Sequence, residues 1–330
     1  MWQIIGHDFA IRLFQKSIET QRVSHAYLLS GPRQVGKTTL AVEFAKAANC
    51  LEPERPCGRC RSCQKIAKGI HPDVQIIDLE DGAKNIGIEA IRKLQEGVAL
   101  RPAEGLSKVY ILIEAERLSE PAANALLKTL EEPPPSVVLM LTTRDSNMLL
   151  PTIVSRCQQV ELRPVPAKEI ERALVQRYEL PADRARLLAA LSEGRLGWAF
   201  QMASNPVLMD RRLELRNRLA DLPAADRVSR FAFAAELANL YSREPEAVRD
   251  ILETWQFWWR DLLMCRLGLR DLVINVDLED RIDKISSSYP VEKLGSMVSA
   301  IQATISMLSQ NINPRLSLEV LMLNVPGGPE

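Results

Sequence analysis

The stretch Ala26-Tyr27-Leu28-Leu29-Ser30-Gly31-Pro32-Arg33-Gln34-Val35-Gly36-Lys37-Thr38-Thr39 decides how the rest of the chain is read. Its first five residues form a short apolar run of strand type, and Thr38 to Asn49 has helical spacing, with Leu40, Phe44 and Ala47 along one side. Between them, Gly31, Gly36, Lys37 and Thr38 satisfy the pattern G-x-x-x-x-G-K-T, and Thr39 follows directly. In that pattern the glycines let backbone N–H groups curl around phosphates, the lysine neutralises their charge, and the threonine hydroxyl holds magnesium. Strand, glycine loop and helix in that order predict an α/β domain that binds a nucleotide.

Outward from the loop, apolar segments at Val74 to Leu79, Val109 to Ile113 and Val137 to Leu141 alternate with helical patterns at Ile88 to Leu100 and Pro121 to Leu130. Such alternation predicts a mostly parallel sheet covered by helices. Ser119 is placed to cap the second of these helices, and Pro133 to Pro135 ends it. Upstream, Phe9, Ile11, Leu13, Phe14 and Ile18 carry helical spacing, and a last strand is expected from Gln158 to Leu162. Beyond Arg163-Pro164-Val165-Pro166 the chain reads as helix broken at Pro181, Gly194, Pro206 and Pro223. The expected division is a nucleotide-binding domain at 1–163, a small helical lid at 164–207 and an all-α domain at 208–330. The tail from Pro326 to Glu330 is expected to be disordered.

A chain of 330 residues that is 46% hydrophobic can bury more than one core. Its 42 Lys+Arg balance 42 Asp+Glu, so it lacks the overall basic charge that dominates non-specific DNA binding. His7 and Asp8 stand where a secretory signal needs an apolar stretch, and runs such as Val109 to Ile113 are too short to span a bilayer. These features predict a cytoplasmic protein without a membrane segment. Disulfides are not expected there, so the cysteines need another account.

Cys50, Cys57, Cys60 and Cys63 are separated by six, two and two residues, a spacing that can bring four thiolates around one tetrahedral zinc. Four protein ligands would close the coordination sphere, which predicts a structural ion. Cys157 and Cys265 stand alone and read as small packing residues. Trp255, Phe257, Trp258 and Trp259 lie in an apolar helical region without Lys/Arg runs, which favours core or subunit interface over base stacking. His25 and His71 are expected to make hydrogen bonds.

The other half of a nucleotide-hydrolysing site is an apolar strand ending in Asp-Glu, the aspartate holding magnesium and the glutamate polarising water. Here the strand ends Ile111-Leu112-Ile113-Glu114-Ala115. Glu114 supplies the glutamate, but Ile113 stands at the metal-binding position and cannot ligate. Magnesium is therefore expected to bind weakly if at all.

Taken together, Ile4-Ile5-Gly6-His7, His25-Ala26-Tyr27, the phosphate loop, the four cysteines, Asn124-Ala125-Leu126-Leu127-Lys128-Thr129-Leu130-Glu131-Glu132-Pro133-Pro134 and Ser155-Arg156-Cys157 resemble the AAA+ clamp-loader family. The resemblance implies that Ile4, Ile5 and Gly6 lie near the adenine and that Thr142 and Thr143 sense the terminal phosphate. It implies that Arg156 reaches into a neighbouring subunit's site as an arginine finger. Motor subunits of the family carry Gly-x-x-Gly-Arg-Ala in the lid, where this chain has Gly194-Arg195-Leu196-Gly197-Trp198-Ala199, so Trp198 replaces a sensor arginine. Trp259-Arg260-Asp261-Leu262-Leu263 and Asn313-Pro314-Arg315-Leu316-Ser317-Leu318-Glu319 resemble the collar domain of the family's stator-type subunit. The implied protein holds ATP or ADP without turning it over. It works in a hetero-pentamer with gamma/tau and delta subunits that places a sliding clamp on primed DNA. A gamma/tau-type motor ATPase and a zinc-knuckle nucleic-acid-binding module are the alternatives.

Overall fold

The structure is a computed structural model that describes residues 2–80, 82–310 and 312–327. Of the tail expected to be disordered, 328–330 lie outside the described residues. The chain divides into two compact units between Gln201 and Met202. The boundary expected near residue 164 falls inside the first unit.

The first unit begins with helix α1 (Asp8–Glu19), strand β1 (Ala26–Ser30), α2 (Lys37–Ala48) and α3 (Arg61–Ala67). It continues with β2 (Val74–Ile77), α4 (Ile88–Val98), β3 (Lys108–Leu112), α5 (Glu120–Glu131) and β4 (Val137–Thr143). Then come α6 (Pro151–Val154), β5 (Gln158–Glu161), α7 (Ala167–Tyr178), α8 (Ala182–Ser192) and α9 (Leu196–Ser204), the last running across the division. The five strands pair in parallel in the order β2-β3-β4-β1-β5. The inner strands β3 and β4 are buried throughout, as a sheet covered on both faces demands, while β2 and β5 at the edges carry Gln75, Gln158, Gln159 and Glu161.

Period-two alternation sends side chains to two separate cores. Leu28, Leu112, Leu139 and Leu141 face α4 and α5, where Ile91, Leu94 and Leu126 are fully buried. Tyr27, Leu29, Ile111 and Met140 face α1 and α2 and pack on Phe14, Leu40 and Phe44. Phe14 meets Tyr27 edge-on at 5.1 Å between ring centroids, a geometry that aromatic quadrupoles favour. Ser119 caps α5 as expected, its hydroxyl accepting from the Ala122 N–H at 3.4 Å.

The second unit is all helical: α10 (Pro206–Asp221), α11 (Arg227–Tyr241), α12 (Pro245–Arg266), α13 (Glu279–Ser286), α14 (Val291–Ser309) and α15 (Pro314–Asn324). Trp255, Trp258 and Trp259 on α12 are at most 1% exposed and sit in one core with Leu252, Leu294 and Ile301. They are core residues, unavailable for base stacking, and Phe257 is half-buried. A second anchor is Asp261, fully buried on α12, whose carboxylate accepts from the N–H groups of Ile274 and Asn275 and from the Asn275 amide. Cys265 packs in the same core, and Cys157 packs beside the α4/α5 core of the first unit, where burial pushes its thiol up to about 12.

Candidate nucleotide site and metal centre

Parallel pairing sets the carboxyl ends of β1, β3 and β4 side by side: Ser30 pairs with Thr143, and Leu112 with Leu141. Ligands of open α/β sheets bind at these ends. The loop between β1 and α2 leaves the sheet there, and two glycines make its path possible. Gly31 has φ 143, and a Cβ on it would lie 2.2 Å from the Leu162 carbonyl oxygen. Gly36 has φ 115 and opens α2. His7, whose ring Nε2 donates to the Val35 carbonyl at 2.9 Å, ties the N-terminal segment to the loop.

A cleft of about 830 Å³ opens beside the loop. Ile4 and Ile5 line it with Gly36, Thr38 and Thr39, so these expected contacts converge. Gly6, Gly31 and Lys37 lie in the same segments but do not line the cleft. Leu196, Gly197, Arg177 and Phe200 line it from α7 and α9, and the guanidinium of Arg177 sits 5.0 Å from the Phe200 ring centroid. Helix α9 is held to the loop by the Gly197 N–H, which donates to the Gln34 carbonyl at 2.8 Å, and by the Gln34 amide, which donates to Gln201 at 3.1 Å. Trp198 is 7% exposed and absent from the lining, with the Arg195 guanidinium 6.0 Å from its ring. Neither replaces the sensor arginine at the cleft wall; the guanidinium that lines it is that of Arg177, which sequence spacing did not single out, and Lys46 lines it too.

Lys37 is buried, and its ammonium donates to the carbonyls of Gly31 at 2.6 Å and Pro32 at 2.7 Å. Burial lowers its pKa to about 8, against the raising effect of Glu116 and Glu114. Glu114, two residues past β3, has φ 48 and ψ 60, a left-handed conformation uncommon outside glycine. Its N–H donates to the Thr142 hydroxyl at 3.0 Å. Its carboxylate is engaged by Arg117 at 2.6 Å, Arg144 at 3.5 Å and Arg33 at 3.6 Å. Thr142 and Thr143 are buried at the end of β4, and the Thr143 hydroxyl donates to the Asp145 carbonyl at 2.9 Å, so the strand places both outside the cleft lining.

Oxygen ligands at this strand end are few, and among the described residues Glu116 keeps a buried carboxylate Oε2 without a hydrogen-bond partner. Thr38 offers one oxygen, Ile113 offers none, and Glu114 is held by guanidinium groups. Arg156 follows α6; its guanidinium donates to the Thr152 carbonyl at 2.9 Å and pairs with Glu131 at 2.7 Å. The ion pair is one expected of a surface arginine. With its side chain 35% exposed, Arg156 is also accessible from outside.

The four cysteines come together as expected. The Sγ atoms of Cys50, Cys57, Cys60 and Cys63 all lie within 4.8 Å of one another, an arrangement that can hold a metal ion. Cys50 follows α2, and Cys60 caps α3, its sulfur accepting from the Cys63 N–H at 3.5 Å while the Cys57 sulfur accepts from the Cys60 N–H at 3.2 Å. Burial of Cys57 opposes ionisation, but N–H donors from Cys60 and Arg59 and the adjoining thiols outweigh it, bringing its pKa down to about 6. Burial pushes Cys63 up to about 12, reinforced by the neighbouring thiols of Cys60 and Cys50. Beside this knuckle, Ser62 and the His71 Nε2 lie 3.2 Å apart, and Asp73 is nearby. It is not a nucleophilic triad: the His71 Nδ1 accepts from the Asp73 N–H, and the Asp73 carboxylate caps the N–H groups of Ala103, Glu104 and Gly105. His71 thus makes the hydrogen bonds expected of it, whereas the buried Nε2 of His25 has no hydrogen-bond partner among the described residues.

The family model described as DNA polymerase III, delta subunit matches residues 6–166, and its C-terminal counterpart matches residues 208–326. The chain is 30% identical over 319 residues to DNA polymerase III subunit delta' of Bacillus subtilis, covering 96% of this chain and 95% of that one. The chain belongs to the DNA polymerase III delta-prime family of clamp-loader subunits. The delta' subunit of Pseudomonas aeruginosa is 40% identical over 174 residues, 52% of this chain and 53% of its own. The tau subunit of Bacillus subtilis is 27% identical over 98% of this chain, which spans only 60% of the tau length. Among the described residues no helix is long and apolar enough to cross a membrane.

Proposed function

We propose that this clamp-loader subunit binds an adenosine nucleotide without hydrolysing it and completes a neighbour's site with Arg156. The observation that carries the reading is the division within one site. The phosphate loop is complete, with Ile4, Ile5, Thr38 and Thr39 on the cleft, while Ile113 removes a metal ligand and three arginines engage Glu114. Lys37, Gly31 and Gly36 would hold the phosphates, Gly6 would keep the adenine-side segment close, and Thr142 and Thr143 would act through the strand end they buttress. The four cysteines would hold one structural zinc, which fixes a segment that lacks a core of its own.

The partners on this reading are gamma/tau and delta subunits in a hetero-pentamer, with the sliding clamp and primed DNA reached through the assembly. Residues 164–207 would move as a lid, and 208–330 would form the collar that assembles the ring. The test is ATP turnover by the isolated chain beside clamp loading by a reconstituted loader containing it. Negligible turnover with full loading is expected. Robust turnover abolished by Glu114→Gln would instead establish a motor of the gamma/tau type.

A further inference from the structure

The phosphate loop and helix α9 meet at Gln34. This residue is held at φ 56, in the left-handed region that side chains rarely adopt and that a glycine would take without strain. The side chain a glycine would lack crosses to α9, where its amide donates to the Gln201 side chain at 3.1 Å. One turn earlier on the same face of α9, the Gly197 N–H donates to the carbonyl of the same Gln34 at 2.8 Å. The approach is close: a Cβ on Gly197 would stand 3.0 Å from that carbonyl oxygen and 3.2 Å from the Gln34 Cβ. The turn before α9 is fixed as well. There the Val165 N–H donates to the Gly194 carbonyl at 3.0 Å, and a Cβ on Gly194 would lie 2.4 Å from the Cβ of Pro164. Leu196, Gly197 and Phe200 of α9 line the cleft together with Ile4, Ile5 and Thr39.

Resting on the nucleotide reading above, we infer that Gln34 is a latch that sets how fast nucleotide enters and leaves the cleft. With the Gly194 turn fixed, α9 parts from the loop by breaking its two contacts to Gln34, and nucleotide exchanges through the opening. The backbone contact would form with any residue at 34, whereas the amide contact needs the glutamine. The latch is closed in both the empty and the loaded chain and broken in the open state between them. It therefore slows association and dissociation by similar factors and leaves the equilibrium affinity nearly unchanged. A direct contact to the nucleotide would act mainly on dissociation. Both glutamines are exposed, so the effect is that of one neutral hydrogen bond at the surface.

The experiment is stopped-flow association of the full chain with ADP carrying a methylanthraniloyl fluorophore, followed by displacement with excess unlabelled ADP. Gln34→Gly, which removes the amide and relieves the backbone, should raise both rate constants by about threefold to tenfold, with the dissociation constant changing by less than about twofold. Gln201→Ala should raise them as well, and adding Gln34→Gly to it should contribute less than about twofold more, because both changes remove the same bond. Unchanged rate constants in Gln34→Gly overturn the inference and leave nucleotide binding intact. Faster dissociation with unchanged association also overturns it, since that marks Gln34 as a ligand contact. Absence of binding by the wild-type chain overturns the nucleotide reading itself. Hydrogen exchange in the empty chain reads the latch without nucleotide: the Gly197 amide should exchange about threefold to tenfold faster in Gln34→Gly, and equal exchange in both chains overturns the latch.

Discussion

On the loop side of the site, between β1 and α2, Lys37 is buried against two carbonyls of its own loop, and Gly31 occupies a position where any side chain would strike Leu162. On the strand-end side, Ile113 stands where a metal ligand is needed, and Glu114 is tied into a cluster of arginines. Binding a nucleotide needs backbone N–H groups and one cation, which the first side keeps. Hydrolysing it needs an oriented water and a metal held against the terminal phosphate, and on the proposed reading the second side supplies neither. On that reading one fold keeps the part of a site that senses a ligand without the part that consumes it. Arg156 belongs to neither side, since it pairs with Glu131 after α6.

The largest effect should come from Arg156. A guanidinium supplied in trans is worth about 10³ to 10⁵ in rate in NTPases that use one. Arg156→Ala is expected to lower turnover at the adjoining motor subunit by a factor in that range and to leave this chain's own nucleotide affinity unchanged. Because other sites in a ring keep their own arginines, total ATPase should fall only in part. Equal turnover and equal clamp loading by wild-type and variant assemblies would return Arg156 to the role of a surface ion pair.

Cys60→Ser tests whether the knuckle is independent of the cleft. Loss of one of four thiolates should take metal content from about one equivalent to less than half, with local unfolding and with nucleotide binding retained. Elemental analysis beside a titration reads both, and wild-type protein holding under about half an equivalent would contradict the metal reading.

Lys37→Ala addresses the loop side alone. Removing a charge-assisted contact should weaken nucleotide binding by about tenfold to a hundredfold. Retained affinity would show that the loop does not hold phosphate.

A smaller effect follows from the lowered pKa of Lys37, about 8 in the free protein because burial disfavours the ammonium. Bound phosphate favours that ammonium, so binding above this pKa must take up a proton. Affinity should be level below about pH 8 and weaken above it, by at most about tenfold per pH unit. Lys37→Arg, which stays charged, should flatten the profile. An affinity independent of pH up to about 10 would contradict the coupling.

Much of this was legible from the chain. The apolar runs at β1, β3 and β4 and the helical spacing of α2 and α5 predicted the sheet and its covering helices to within a few residues. The four cysteines met as their spacing required. The arginines around Glu114 were not legible, because Arg33, Arg117 and Arg144 come from three separate connections and no local pattern links them. Nor was Arg177, which reaches the cleft only because α7 and α9 fold back over the loop. The hydrogen bonds of the Thr142 and Thr143 hydroxyls were not legible either: one supports the backbone of Glu114, and the other closes the turn at Asp145.

The sequence by itself determined the phosphate loop, the metal-ligating spacing and the loss of an aspartate at Ile113, because each depends on residue types a few positions apart, where covalent geometry limits what the chain can do. Only the tertiary structure decided the charge around that loop. Coulomb interactions act through space, and the parallel sheet brings the ends of β1, β3 and β4 together from more than a hundred residues of chain. Whether Glu114 polarises a water or pairs with arginine is therefore a property of the assembled strand ends and cannot be read from the local motif around it.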